Sequence, residues 1–270
     1  MIETNGFRDA VEFLLFSYFA VDFDDKSDDK TAGNSMINRA IDKAFFDATM
    51  QNAYNGLEKK NHKKEMSEKA KQKLINAISE LSKCNVKSFD KWHKDLCCSL
   101  KNEYSGVTYI DKYKGEINAF SFGNAQKWVN MTMKYIYLLY HIYSEFMPDC
   151  EFCEQYKSMI EKYQNKFHVP VDRYIIESVW RNENVCLPKK EEDKELNRGR
   201  DYVNPADYVL PWSKWENADD CKNCNGCMES QKCDYGKFQK SLRENLPDNS
   251  ECLLQWEAKA WIDTVKSKRK

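Results

Sequence analysis

The sequence predicts an all-α fold, on three observations. Glycine and proline are scarce, 9 and 6 among 270 residues, which suits long helices with few tight turns and argues against a sheet-rich chain. Apolar residues recur at three- and four-residue spacing in segment after segment. Lys127 to Met147 runs for twenty-one residues without either helix breaker.

Taken in order, Phe7 to Val21 carries a helical stripe of Val11, Leu14, Leu15, Tyr18 and Phe19 that stops at an acidic loop, Asp22 to Asp29. Asn34 to Tyr54 repeats the pattern with Ile37, Ala40, Ile41, Ala44, Phe45 and Ala48, and Met66 to Leu81 does so through Ala70, Leu74, Ile75 and Ile78. Ser88 to Asn102 adds a helix with Phe89, Trp92, Leu96 and Leu100, in which His93 reads as a packed histidine. Tyr104 to Phe122 has the apolar spacing of one more short helix, which would complete a helical hairpin ahead of a turn at Gly123.

The centre of the chain is the most informative part. A small-x-small turn, Gly123-Asn124-Ala125-Gln126, feeds the long apolar helix and would leave its first backbone N–H groups facing a phosphate. Lys127 stands in the first turn, where apolar neighbours such as Phe122 and Trp128, and Lys134 on the same face, lower the pKa of its amine. Lys127, Asn130, Lys134 and His141 form a polar stripe on an otherwise apolar cylinder, and such a stripe costs stability unless something uses it. Pro148-Asp149 ends this helix, and Cys150 to Gln164 reads as its return. Pro170 disfavours helix at Val169, so Asp172 caps a new run through Tyr174, Ile175, Ile176, Val179 and Trp180. An amine kept neutral is a nucleophile, and a carboxylate in a helix cap stays charged beside it.

Asn182 to Tyr208 is a polar boundary, followed by Pro211-Trp212-Ser213-Lys214-Trp215, whose tryptophans suit either core packing or stacking on bases. Tyr235 to Leu246 and Leu253 to Val265 close the chain as two helices. Three parts follow: a helical lobe over 1–103, the hairpin and catalytic helices over 104–186, and a C-terminal segment over 187–270 packed back on them.

Forty-two basic residues against 43 acidic ones exclude a chain that holds nucleic acid by overall charge, so DNA contact must come from a local face. The lysine-rich stretch Lys59 to Lys73 reads as a solvated helix face, and the basic end Lys266 to Lys270 as a frayed tail. No apolar run approaches a membrane span, and the charged start of the chain is unlike a signal peptide; a cytoplasmic monomer is expected.

Cys221, Cys224, Cys227 and Cys233 place four soft ligands within thirteen residues, a pattern that calls for a bound metal in a reducing compartment. The short gaps suit a [4Fe–4S] cluster somewhat better than zinc.

Gly123-x-Ala125-x-Lys127 with Val169-Pro170-Val171-Asp172 downstream resembles the helix-hairpin-helix DNA glycosylases, which use Gly-x-Gly-x-Lys and a Pro-Val-Asp at the head of a later helix. The 8-oxoguanine branch, and its archaeal members with a long spacer in particular, is nearest in wording. The resemblance implies two helical lobes with the active site between them. It also implies that Lys127 attacks C1′ of a flipped nucleotide in duplex DNA while Asp172 stabilises the cationic sugar and relays protons. Base excision and lyase cleavage on an 8-oxoguanine-like purine are then expected, with no cofactor needed for excision. The x2 and x5 gaps of Cys224, Cys227 and Cys233 resemble the iron-sulfur loop of endonuclease III-like members, and Cys221 departs from it. Two other readings stand beside this one: a nucleic-acid-binding hairpin module without chemistry, and a metal-dependent regulator with the cysteine loop as sensor.

Overall fold

A computed structural model describes residues 3–21, 32–50, 63–111, 115–118, 120–188, 209, 212, 215, 234–246 and 252–268. The architecture is all-α with one small antiparallel hairpin. Helices α1 (Glu3–Phe19), α2 (Ala32–Met50), α3 (Lys63–Ser82) and α4 (Phe89–Glu103) lead to strands β1 (Thr108–Asp111) and β2 (Gly115–Asn118). Then come α5 (Phe122–Phe146), α6 (Glu151–Tyr163), a 3-10 turn at Gln164–Lys166, α7 (Arg173–Val179), α8 (Asp234–Asn245) and α9 (Leu253–Lys268).

The segment between α4 and α5 corrects the sequence reading. Instead of a short helix it forms a two-stranded ribbon, with Thr108 opposite Asn118 and Asp111 opposite Gly115. Thr108, Tyr109 and Ile110 are β-branched or aromatic and favour extended backbone, a local preference that the wider apolar spacing masks. Gly106, at φ +78°, takes the left-handed conformation in the turn after α4 that the Val107 N–H closes on the Tyr104 carbonyl at 3.1 Å, which leads the chain to β1.

Helix α5 is the axis of the molecule, packed against α2, α4 and α6. Trp128, Val129, Ile136 and Leu139 on it have no measurable exposure, and they sit in one core that runs from Leu15 to Leu254. Trp128 adds a polar tie, since its indole N–H donates to the Ile41 carbonyl of α2 at 3.1 Å. Ser121 caps the helix: its hydroxyl accepts the Asn124 N–H at 3.1 Å, and the Asn124 side chain accepts the Ser121 N–H at 3.0 Å. Before Pro148 the helix stops, and α6 folds back with Phe152, Tyr156, Met159 and Ile160 buried.

The lysines of α3 are largely compensated, with Lys69 paired to Glu65 at 2.8 Å, Lys71 to Asp42 at 2.6 Å, and Lys73 to Glu103. No helix among the described residues is long and apolar enough to cross a membrane.

Candidate active site

Lys127 and Asp172 meet. Lys127 Nζ lies 3.7 Å from Asp172 Oδ2 and donates to the Val171 carbonyl at 3.4 Å. The lysine is 2% exposed and the aspartate 14%. Asp172 divides its two oxygens between two tasks: Oδ1 accepts the N–H groups of Tyr174 at 2.9 Å and Ile175 at 3.0 Å, which caps α7, while Oδ2 faces the lysine. A carboxylate anchored by two backbone donors is held in place, and the amine opposite it has a fixed partner. Burial pushes the Lys127 amine below its usual pKa; Asp172 and Glu257 oppose that, and Lys134 works with it. The half-buried Trp212 ring lies 5.7 Å from the same nitrogen, so one of the two tryptophans faces the site while Trp215 packs in the core against Phe238.

The pair opens into a cleft of about 1130 Å³ between α1, α2, α5 and α9. Its floor is one face of α5, where Lys127, Met131, Lys134, Leu138 and His141 follow each other at helical spacing. Leu15, Phe19 and Phe146 give it apolar walls, and Trp261 of α9 is a partly exposed aromatic on its lining. Besides Lys127 and Asp172, polar groups that break the apolar lining include His141, Glu145 and two bonded sets. One is the ion pair of Lys134 with Glu257 at 2.6 Å, in which Glu257 is 2% exposed. The other is Asp47, which accepts hydrogen bonds from Tyr135 and, at 3.0 Å, from Tyr18.

Of the expected polar stripe, Lys127, Lys134 and His141 line the cleft, whereas Asn130 turns to the other side of α5. There it joins a buried network. Asn130 Nδ2 lies 3.0 Å from the Val169 carbonyl, 2.8 Å from the Tyr235 hydroxyl and 2.9 Å from Gln126 Oε1, and its oxygen accepts from His93 Nε2 at 2.7 Å. Tyr235 bonds His168 Nδ1 at 2.8 Å, and His168 Nε2 bonds Asp90 at 2.8 Å. A carboxylate only accepts, so His168 carries its proton on Nε2 and Tyr235 donates to Nδ1. Gln239 of α8 closes on Val169 from both sides, accepting its N–H at 3.0 Å and donating to its carbonyl at 2.9 Å. The Val169–Val171 segment that presents Asp172 is thus pinned from behind.

Gly123, Asn124, Ala125 and Gln126 lie in the buried first turn of α5, which begins at Phe122. The Asn124 N–H is taken by the Ser121 hydroxyl and the Ala125 N–H by the Ser121 carbonyl at 3.1 Å, which leaves those donors nothing to offer a phosphate. Ser121-x-x-Asn124 is itself a capping pattern, a trace in the sequence of where α5 starts. Cys221, Cys224, Cys227 and Cys233 lie outside the described residues. Among the described residues no group of three or more His, Cys, Asp or Glu side chains is placed to hold a metal ion.

Glu257 is the site residue that sequence reasoning passed over. Leu253, Leu254, Glu257 and Trp261 share one helical face, and an acidic residue on a core-facing position is the trace it leaves. No protein-family model, curated protein or solved structure matches the chain.

Proposed function

We propose that the chain is a DNA glycosylase with lyase activity that acts as a monomer on duplex DNA and excises a damaged or modified base, an 8-oxoguanine-like purine first among them. The observation that carries the reading is the meeting of two residues forty-five positions apart, a buried amine and a capped carboxylate 3.7 Å away, at the floor of an open cleft. Lysine serves as a nucleophile when it is neutral, and burial favours the neutral form of Lys127. Asp172 has an oxygen left over from its cap to stabilise positive charge on the sugar and to accept the proton that the amine loses. Because the base must leave the stack to reach a buried amine, the cleft is where it would be received, with Trp261 and Trp212 available for stacking.

Attack of Lys127 on C1′ would give a Schiff base, and elimination of the 3′ phosphate would follow. Borohydride reduction during incubation with duplexes carrying a panel of altered bases tests this directly. The parent protein becomes covalently trapped on at least one of them, and Lys127→Gln abolishes trapping while it keeps binding. Trapping that survives in that variant moves the chemistry to another residue. Cys221, Cys224, Cys227 and Cys233 would hold a [4Fe–4S] cluster, or else zinc, as a structural centre outside the excision chemistry. Protein purified without oxygen then contains stoichiometric iron and sulfide, or zinc, and Cys227→Ser loses it; metal-free parent protein rules the centre out.

A further inference from the structure

We propose that Lys134, held by Glu257, is the acid that protonates the departing base, a role that rests on the glycosylase reading of Lys127 and Asp172. The two lysines stand seven residues apart on one face of α5, about 10.5 Å along the axis at roughly 1.5 Å per residue. A flipped base with its C1′ at Lys127 would extend along the cleft floor toward Lys134. Its far edge then faces Lys134, where the cleft carries its second charged pair.

The environment suits a proton donor. Glu257 comes from α9, which packs on the α7 helix that Asp172 caps, so both carboxylates reach the cleft from neighbouring elements. Its carboxylate oxygen accepts from Lys134 at 2.6 Å and fixes the ammonium toward the lining. Glu257 is buried, so the pair is not a surface ion pair: burial raises the pKa of its carboxyl and the Lys134 ammonium opposes that. A base leaving as an anion is a poor leaving group, and one proton at its far edge removes that charge.

The step balances. The C1′–N bond breaks with its electron pair going to the base, and the Lys127 nitrogen forms the new bond to C1′. One proton passes from the Lys134 ammonium to the base, and Asp172 accepts one from the Lys127 nitrogen. Lys134 regains its proton from solvent through the open cleft.

Two reactions of the same protein separate this role from a structural one. Excision needs the base to leave, whereas trapping on a pre-formed abasic duplex does not, because the base is already gone. Lys134→Arg addresses the pair; the arginine keeps a cation on Glu257 yet is too weak an acid to give up its proton. The expected result is single-turnover excision slowed by about 10² or more, the range of acid catalysis. Trapping on abasic DNA stays within about threefold of the parent, and the deficit shrinks on bases that leave more readily as anions. Lys134→Arg excising at the parental rate overturns the assignment. So does a parallel loss of excision and abasic trapping in Lys134→Arg, which marks the pair as structural. Parent protein that excises from no duplex and traps on no abasic site overturns the glycosylase reading beneath it.

Discussion

At the scale of single residues, Asp172 shows how one side chain holds two duties with separate atoms. Oδ1 serves the α7 amides and Oδ2 serves the Lys127 amine. Asp172→Asn retains an oxygen that can cap but loses the charge, so its two duties come apart in experiment. Its melting point should stay near the parent's, because asparagine caps about as well as aspartate, while single-turnover excision falls by about 10² or more. Parental excision by a variant that melts early would reduce Asp172 to a cap. The Lys127–Asp172 pair was legible in the sequence because each residue sits beside a backbone signal, a helix start for one and a Val-Pro for the other. The position of Glu257 was not, since only the docking of α9 brings it to the cleft.

At the scale of elements, the Asp172 carboxylate depends on a non-helical segment held by side chains. Val169 and Val171 are fully buried, and the Val169 backbone finds its partners in the side chains of Gln239 and Asn130 in place of a neighbouring strand. Gln239→Ala leaves the Val169 N–H buried without an acceptor, which costs about 1–3 kcal/mol. Denaturant unfolding should show that loss. Excision should fall as well at temperatures where the variant is fully folded, because the Asp172 oxygen shifts relative to Lys127. Loss of stability with an unchanged excision rate would mean that α7 and its cap hold Asp172 without help from α8. Helix periodicity found α8 but gave no hint of this task, because Gln239 reads from sequence as an ordinary polar position on an amphipathic helix.

At the scale of the whole molecule, the buried network makes stability depend on pH. Burial drives the His93 pKa well below its usual 6.5 and lowers that of His168 too. Above pH 6.5 neither the folded nor the unfolded chain binds these protons, and the histidines add no pH dependence. Below it the unfolded chain takes up protons that the folded state refuses, so stability is lost as pH falls. Asp90 works in the same direction at lower pH: burial opposes its charge, but His168 and Arg243 outweigh that and hold its carboxyl below the usual range. Urea midpoints should therefore drop between pH 7.5 and 5.5, and His93→Gln should flatten the decline. A midpoint that does not move between these pH values would show that the histidines titrate in the fold as they do in the unfolded chain.

What the sequence determined by itself is local: where the helices run, that α5 is the apolar centre, and that Lys127 and Asp172 each sit at a helix start. Periodicity and capping are properties of neighbouring residues, so they can be read without coordinates. The hairpin at 108–118 shows the limit of that logic, because apolar spacing over a short span fits a strand as well as a helix. Tertiary structure alone decided the rest. It buried the first turn of α5, and it sent Asn130 to the network and Lys134 to the cleft. It also placed Glu257 opposite Lys134 across 123 residues of chain. Which charges face one another is fixed by how helices pack, and packing is decided by the summed burial of the core, to which no single stretch of sequence holds the key.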